Sequence, residues 1–246
     1  MRPDASKKLA AAAPKGRNPV VIGGVVAAVM IVAVVVAILI GNNKSGSSTA
    51  DSGSAVPVGV VGGTGGGILV NRAAAKSNAP TLDVYADFQC PVCGRFEKTF
   101  GPALTEMATA GEITYVVHMM SFLDTNLGND ASARSSNAAA CAADAGRFPE
   151  YHSAVFAAQP VKEGDGYTDA QLTDFANTVG ITGPALSTWQ QCTSSGQHTQ
   201  YVTDVATASG EAGVTSTPTV KLDGKDITKT LTTPEALITQ VKLATK

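Results

Sequence analysis

Three hydrophobic patterns follow one another along the 246 residues of the chain. The first is unbroken. Residues 20–40, VVIGGVVAAVMIVAVVVAILI, carry no charge. As a helix rising about 1.5 Å per residue they span roughly 31 Å, the thickness of a bilayer's hydrocarbon core, and so they predict a transmembrane helix. The second pattern is alternation. In TLDVYADF, residues 81–88, Leu82, Val84, Ala86 and Phe88 alternate with Asp83, Tyr85 and Asp87, as in a strand with one buried face. Shorter apolar runs predict strands at 68–70 and, in EITYVVHM, at 112–119. The third pattern has the period of a helix. Phe96, Phe100, Leu104 and Met107 recur on one face, with Gly101-Pro102 as an expected kink. A right-handed crossover through that helix makes the strands at 81–88 and 112–119 parallel.

Residues 130–211 are rich in Ala, Gln, Asp and Thr and read as three or four helices, broken at QPVKEGDGYT and VGITGP. The chain returns to strand in TPTVKL, turns at Asp223-Gly224 and resumes in a short strand, KDITK. A final helix is capped by Thr233, opened by Pro234 and given a buried stripe by Leu237, Ile238 and Val241. The order β-β-α-β, helical block, β-β-α predicts one α/β domain over 67–246, with a helical insertion at about 128–212. Residues 41–66, which include GNNKSGSS and GGTGGG, have too few large apolar side chains to fold and are expected to form a flexible tether.

Charge orients the chain. The tail at 1–19 carries Arg2, Lys7, Lys8, Lys15 and Arg17 against Asp4. The positive-inside bias puts this tail in the cytoplasm and everything after about residue 42 outside, on a single-pass anchor in the cytoplasmic membrane. A cleaved signal peptide is the rival reading, but its apolar stretch usually runs only about 7–15 residues. The net charge of the whole chain is −2, and without the basic tail the exported part is more acidic still. Repulsion of phosphates argues against nucleic acid as a partner.

All four cysteines follow the apolar run, in a compartment where disulfides persist. Cys90 and Cys93 stand in DFQCPVCGRFE, between a predicted strand and a predicted helix, with Pro91 in the first turn. There the Cys90 thiolate faces free backbone N–H groups and the positive end of a helix dipole. Such surroundings lower a thiol pKa from about 8.5 toward roughly 3.5–7.5. Cys93, one turn later on the same face, can attack a mixed disulfide formed at Cys90. Cys90 is then the nucleophile and Cys93 the resolving thiol of a redox-active disulfide. Two plainer readings weigh less. A structural disulfide closing so short a ring adds only about 2 kcal/mol. A zinc site needs two further ligands, and Cys141, Cys192, His118, His152 and His198 show no ligand spacing. No metal and no cofactor is expected. Cys141 and Cys192 both fall in the helical block, where an even cysteine count suggests a structural bridge; two free buried thiols are the alternative.

A second signal is GVTSTPTV, residues 213–220. Taken alone, Pro218 opening a strand marks only an edge or a turn. With DFQCPVC after a strand, TSTPTV before the last hairpin and a helical insertion between them, the chain resembles the thioredoxin superfamily. The resemblance is to its membrane-anchored, DsbA-like thiol–disulfide oxidoreductases of bacteria, and it covers about residues 67–246. It implies a thioredoxin fold, with a mixed central sheet and an inserted helical subdomain. It implies a cis-proline loop at Thr217-Pro218, packed against the redox pair, with Thr217 backbone groups free to bind a substrate strand. It implies, too, that the protein introduces disulfides into exported proteins with free cysteines and is re-oxidised by a quinone-linked membrane oxidase.

A reductase or isomerase would use the same residues, and a binding or chaperone-like ectodomain with a structural CxxC is a third reading. The tether leads straight into the fold without an association domain, which points to a monomer. Two positions depart from the family pattern. Pro91-Val92 stands where strongly oxidising members have Pro-His, and Val84 stands six residues before Cys90, where the superfamily carries a buried acid. Asp83 and Asp87 are the nearest carboxylates, and neither is given a catalytic role.

Overall fold

The computed structural model describes residues 55–71 and 75–245. The tail at 1–19, the predicted transmembrane helix at 20–40 and the first part of the tether lie outside the described residues. Among those described, no helix is long and apolar enough to cross a membrane.

Two parallel strands carry the architecture. β3 (Thr81–Ala86) and β4 (Thr114–Met119) pair in register from Thr81–Thr114 to Ala86–Met119, and α1 (Pro91–Thr109) makes the crossover between them. β2 (Gly67–Leu69) pairs with β4 and β5 (Thr219–Leu222) with β3, both antiparallel. β1 (Val60–Val61) and β6 (Lys225–Asp226) complete a six-stranded mixed sheet in the order β1-β2-β4-β3-β5-β6. The alternation in β3 sorts its side chains. Leu82 and Val84 are wholly buried, in one apolar core with Phe96, Phe100, Leu104 and Met107 of α1. Asp83 and Tyr85 project to the other face. Pro102 lies inside α1 without ending it.

Between β4 and β5 the chain forms α2 (Leu123–Leu127), α3 (Ala131–Asp144), α4 (Phe148–Ala157), α5 (Asp169–Thr178), α6 (Gly183–Ser195) and α7 (Thr199–Glu211). Residues 130–211 thus hold five helices, not three or four. The two breaks that pattern alone misses are set by glycines in left-handed backbone, Gly146 (φ 71°) before α4 and Gly196 (φ 64°) at the end of α6. α3 is the axle of this block. Its run from Ala138 to Ala143 is buried, and small side chains let α4, α6 and α7 pack close around it. The core of the block is continuous with that of the sheet. The closing helix, α8 (Pro234–Ala244), starts where Thr233 Oγ1 accepts from the Ala236 N–H at 3.3 Å. It buries Leu237 and Val241 and packs against α1.

Two expectations need correction. The last part of the expected tether, residues 55–66, belongs to the fold. Val60 and Val61 pair with Ile68 and Gly67, and Gly62 and Gly63 supply the positive φ values, 86° and 85°, that the turn between β1 and β2 requires. The glycines serve here as a turn. KDITK is also only partly strand. Pairing stops at Asp226, because the Asp226 carboxylate accepts from the Thr228 N–H at 2.8 Å and bends the chain into a 3-10 turn over Thr228–Thr230.

Candidate active site

Four residues turn the chain from β3 into α1. The Cys90 N–H donates to the Asp87 carbonyl at 3.0 Å, and Cys90 becomes the N-cap of α1, with extended backbone and no capping bond from its side chain. Pro91 occupies the first turn, where the missing N–H costs nothing. The free N–H groups of that turn are therefore left to face sulfur. Cys90 is 7% exposed and Cys93 is fully buried, and both are free thiols. A hydrogen bond from the Cys93 thiol, with smaller help from the Cys93 N–H, Thr217 and the Val92 N–H, outweighs burial and holds the Cys90 thiol down at about 6. Burial, reinforced by Cys90 beside it, pushes Cys93 far up. The two sulfurs are thus unequal: one is charged near neutrality, while the other keeps its proton. Val92 adds no polar group, and the backbone and Cys93 supply what a polar side chain there would.

The Thr217-Pro218 peptide bond is cis. It brings the Thr217 carbonyl to 3.5 Å from Cys90 Sγ, as an acceptor for that thiol before it ionises. A cleft of about 460 Å³ opens alongside, lined by Val92, Arg95, Phe96, Thr217, Pro218 and Leu231 among others. It is apolar except at Arg95 and the threonines. Cys141 and Cys192 lie elsewhere, bonded to each other between α3 and α6 with Cα atoms 5.9 Å apart. His198 brings a third ligand-type atom within 4.8 Å of both sulfurs, but sulfurs bonded to each other offer no thiolate to a metal.

Several polar groups behind the dithiol escape sequence reasoning. Asp87 is fully buried. Its carboxyl accepts from Ser132 Oγ at 2.6 Å, from the Gln89 N–H at 2.9 Å and from the Leu123 N–H at 3.4 Å. Burial nevertheless pushes it up to about 7. The Gln89 amide extends the network to Asp124 and Asn129. Glu97, one turn beyond Cys93, is pushed up to about 8 by burial. His152, 3.9 Å from it, is pushed down to about 4 by burial. Among the described residues neither Glu97 Oε1 nor His152 Nε2 has a hydrogen-bond partner, so at neutral pH the two face each other mostly uncharged rather than as an ion pair. Gln159, just after α4, donates to the carbonyls of Phe88 and Cys90. Apart from the Gln89 N–H, these partners come from elements far apart in the chain, and no local spacing announces them. Asp83 is different: it bonds His118 Nε2 at 2.9 Å on the far face of the sheet, where His118 stacks on Tyr85.

The same architecture recurs in solved structures. DsbA of Mycobacterium tuberculosis in its oxidised form is 28% identical, with a TM-score of 0.58 over 70% of this chain and 91% of that one. MdbA of Actinomyces oris, a thiol–disulfide oxidoreductase, is 22% identical with a TM-score of 0.66 over 80% and 96%. BdbD of Bacillus subtilis is 18% identical with a TM-score of 0.60 over 78% and 99%. No curated protein matches the chain by sequence. The sequence model described as Thioredoxin matches residues 71–242, from the end of β2 into α8. The chain therefore belongs to the thioredoxin family, with the fold of its DsbA-like thiol–disulfide oxidoreductases.

Proposed function

We propose that this protein introduces disulfides into exported proteins through Cys90 and Cys93. A client thiolate attacks Cys90 Sγ of the oxidised pair, the Cys90–Cys93 bond breaks, and Cys93 leaves with the electron pair. A second client thiolate then attacks the client sulfur of the mixed disulfide and displaces Cys90 as a thiolate. The client has lost two electrons and two protons, and the dithiol has gained them. The observation that carries this reading is the inequality of the two sulfurs. A Cys90 thiolate stabilised to about 6 is a good leaving group and stabilises the reduced enzyme, which makes its disulfide oxidising. The cleft beside Thr217 and Pro218 suits an extended client segment, because the backbone groups of Thr217, just ahead of β5, can pair with its backbone.

Electrons then pass to a quinone-linked membrane oxidase. An uncleaved helix at 20–40 keeps the catalytic domain at the outer face of the cytoplasmic membrane, as a monomer. The deciding measurement is the Cys90–Cys93 reduction potential, from equilibrium with glutathione. A value near −120 mV, as in strong oxidants of this fold, is expected. One near −270 mV, as in reducing thioredoxins, would overturn the direction. Extraction with alkaline carbonate tests the anchor: the protein should stay in the membrane pellet, and release into the supernatant would refute it.

A further inference from the structure

The carbonyl groups of the reactive turn are held from an unexpected direction. Gln159 follows α4, in the helical insertion, about seventy residues along the chain from the dithiol. Its Nε2 donates to the Phe88 carbonyl at 2.8 Å and to the Cys90 carbonyl at 2.9 Å. Both amide protons are thereby spent on the two carbonyls that bracket Gln89 and Cys90. The Cys90 carbonyl also accepts the Gly94 N–H at 3.2 Å, the first bond of α1.

Gly94 supplies an independent observation. It lies inside α1 with ordinary helical backbone, where glycine is worse than alanine by about 0.5–1 kcal/mol. No turn or positive φ calls for it. A Cβ at this position would overlap Gln159 Oε1. The missing side chain is what admits the amide to the first turn of the helix.

We propose that Gln159 is a positioning residue for thiol exchange. By fixing the carbonyls of Phe88 and Cys90, it lets the helical insertion set how Cys90 Sγ faces the N–H groups of Val92 and Cys93. The amide acts through the backbone and touches neither client nor sulfur. Without it, the turn is free to rotate its carbonyls and the sulfur loses alignment with its donors. The inference rests on the exchange chemistry proposed above, but its test needs no client and so fails or succeeds separately.

Q159M keeps the length of the side chain and removes both donors, while G94A evicts the amide from the other side. In the full-length reduced protein, absorbance at 240 nm against pH titrates the Cys90 thiolate, and iodoacetamide measures its reactivity. Each variant should titrate about half to one unit higher, with alkylation at pH 6 about two- to fivefold slower. The double variant should be no slower than the slower single, because both changes remove one contact. Circular dichroism and a melting curve identify folded protein. A lowered Tm with an unchanged thiol titration in either variant would reduce Gln159 to a structural latch and overturn the proposal. So would effects of Q159M and G94A that multiply.

Discussion

The molecule holds two cysteine pairs that water reaches almost equally: Cys90 is 7% exposed and Cys192 is 6%. Exposure therefore does not separate the free pair from the bridged one, but position within a helix does. Cys90 caps α1, where N–H groups have no helical acceptor, and its neighbours Val92 and Thr217 line a cleft. Cys141 and Cys192 lie within α3 and α6, where the surrounding N–H groups are already committed to helix bonds, and their neighbours include alanines, Trp189 and His198. A sulfur placed there finds no free helix N–H to stabilise its anion, and the His198 ring beside it is already paired with Asp144. The thioredoxin half of the fold builds an electrically lopsided dithiol, while the insertion builds a symmetrical, inert bridge from the same residue type.

The sharpest way to break this contrast is to remove one sulfur from each pair. Cys90→Ser should abolish disulfide transfer to a reduced client protein, because no other described thiol is poised as an anion. Cys93→Ala should leave attack intact and accumulate mixed disulfides through Cys90, visible on non-reducing gels. A Cys93→Ala protein that forms no adduct would return the CxxC to a structural role. Replacing Cys141 and Cys192 together with alanine should do the reverse. The bridge closes a separation of 51 residues, worth about 4 kcal/mol in the chain-entropy model, so Tm should fall by roughly 10 °C. Alkylation of Cys90 should stay within about twofold of the parent. A large loss of thiol reactivity in that variant would show that the two pairs are coupled.

A smaller effect separates the buried acid behind the dithiol from the sulfurs themselves. The Asp87 carboxyl, at about 7 in the folded protein, lies above the ordinary carboxylate value near 3.9. The folded state thus holds this proton more tightly than the unfolded chain. The stability it contributes is complete below about pH 4 and is lost as pH rises through 7. Asp87→Asn keeps an acceptor for Ser132 Oγ and the Gln89 N–H and removes the charge. The variant should gain roughly 1–3 kcal/mol over the parent at pH 8 and nothing at pH 4, measured by urea unfolding. An equal change at both pH values would mean that packing, not ionisation, is the cost.

The two halves also differ in how much of them can be read along the chain. β3, α1 and β4 follow from local pattern, because alternation and helical period survive where each element has one apolar face. Cys90 and Cys93 follow from their spacing and from the strand and helix around them. In the insertion the pattern fades, because α3 is buried through alanines that carry almost no periodic signal, and its helix breaks rest on single glycines. The surroundings of Cys90 are legible only in part. Pro218 stands out by its residue type, whereas Asp87 sits on an alternating strand end and meets Ser132 from a helix 45 residues away. Gln159 has no local reason to be glutamine; its partners are Phe88 and Cys90, and only the folded chain brings them together. Residues 55–66 mislead in the other direction, since a glycine-rich composition describes a tight turn as well as it describes a tether.

The smallest effect belongs to an ion pair of the insertion and the chain start it holds. His198 Nδ1 lies 2.6 Å from the Ala55 carbonyl and Nε2 lies 2.8 Å from Asp144 Oδ2. Both neighbours only accept, so both ring nitrogens must carry hydrogen and the ring is an imidazolium. Burial opposes that charge, but the bond to Asp144 and then the bond to Ala55 raise His198 above its ordinary value. A raised histidine contributes stability that is complete below its unfolded value, near 6.5, and is lost as pH rises through the folded one. The Asp144 side chain is 32% exposed, so screening keeps the contribution below about 1 kcal/mol. Asp144 Oδ1 also accepts the Val58 N–H at 2.9 Å, and the clasp therefore holds the start of the described fold against α3 and α7. Raising the pH from 6 to 9 should speed exchange of the Val58 amide beyond its intrinsic base dependence, while amides of α1 keep theirs. In Asp144→Asn that extra dependence should vanish, because the histidine loses the anion that keeps it charged. The Cys90 titration should be unmoved by the substitution. A shift there would mean that the insertion's own ion pair reaches the dithiol, and the electrostatic separation of the two halves would fail.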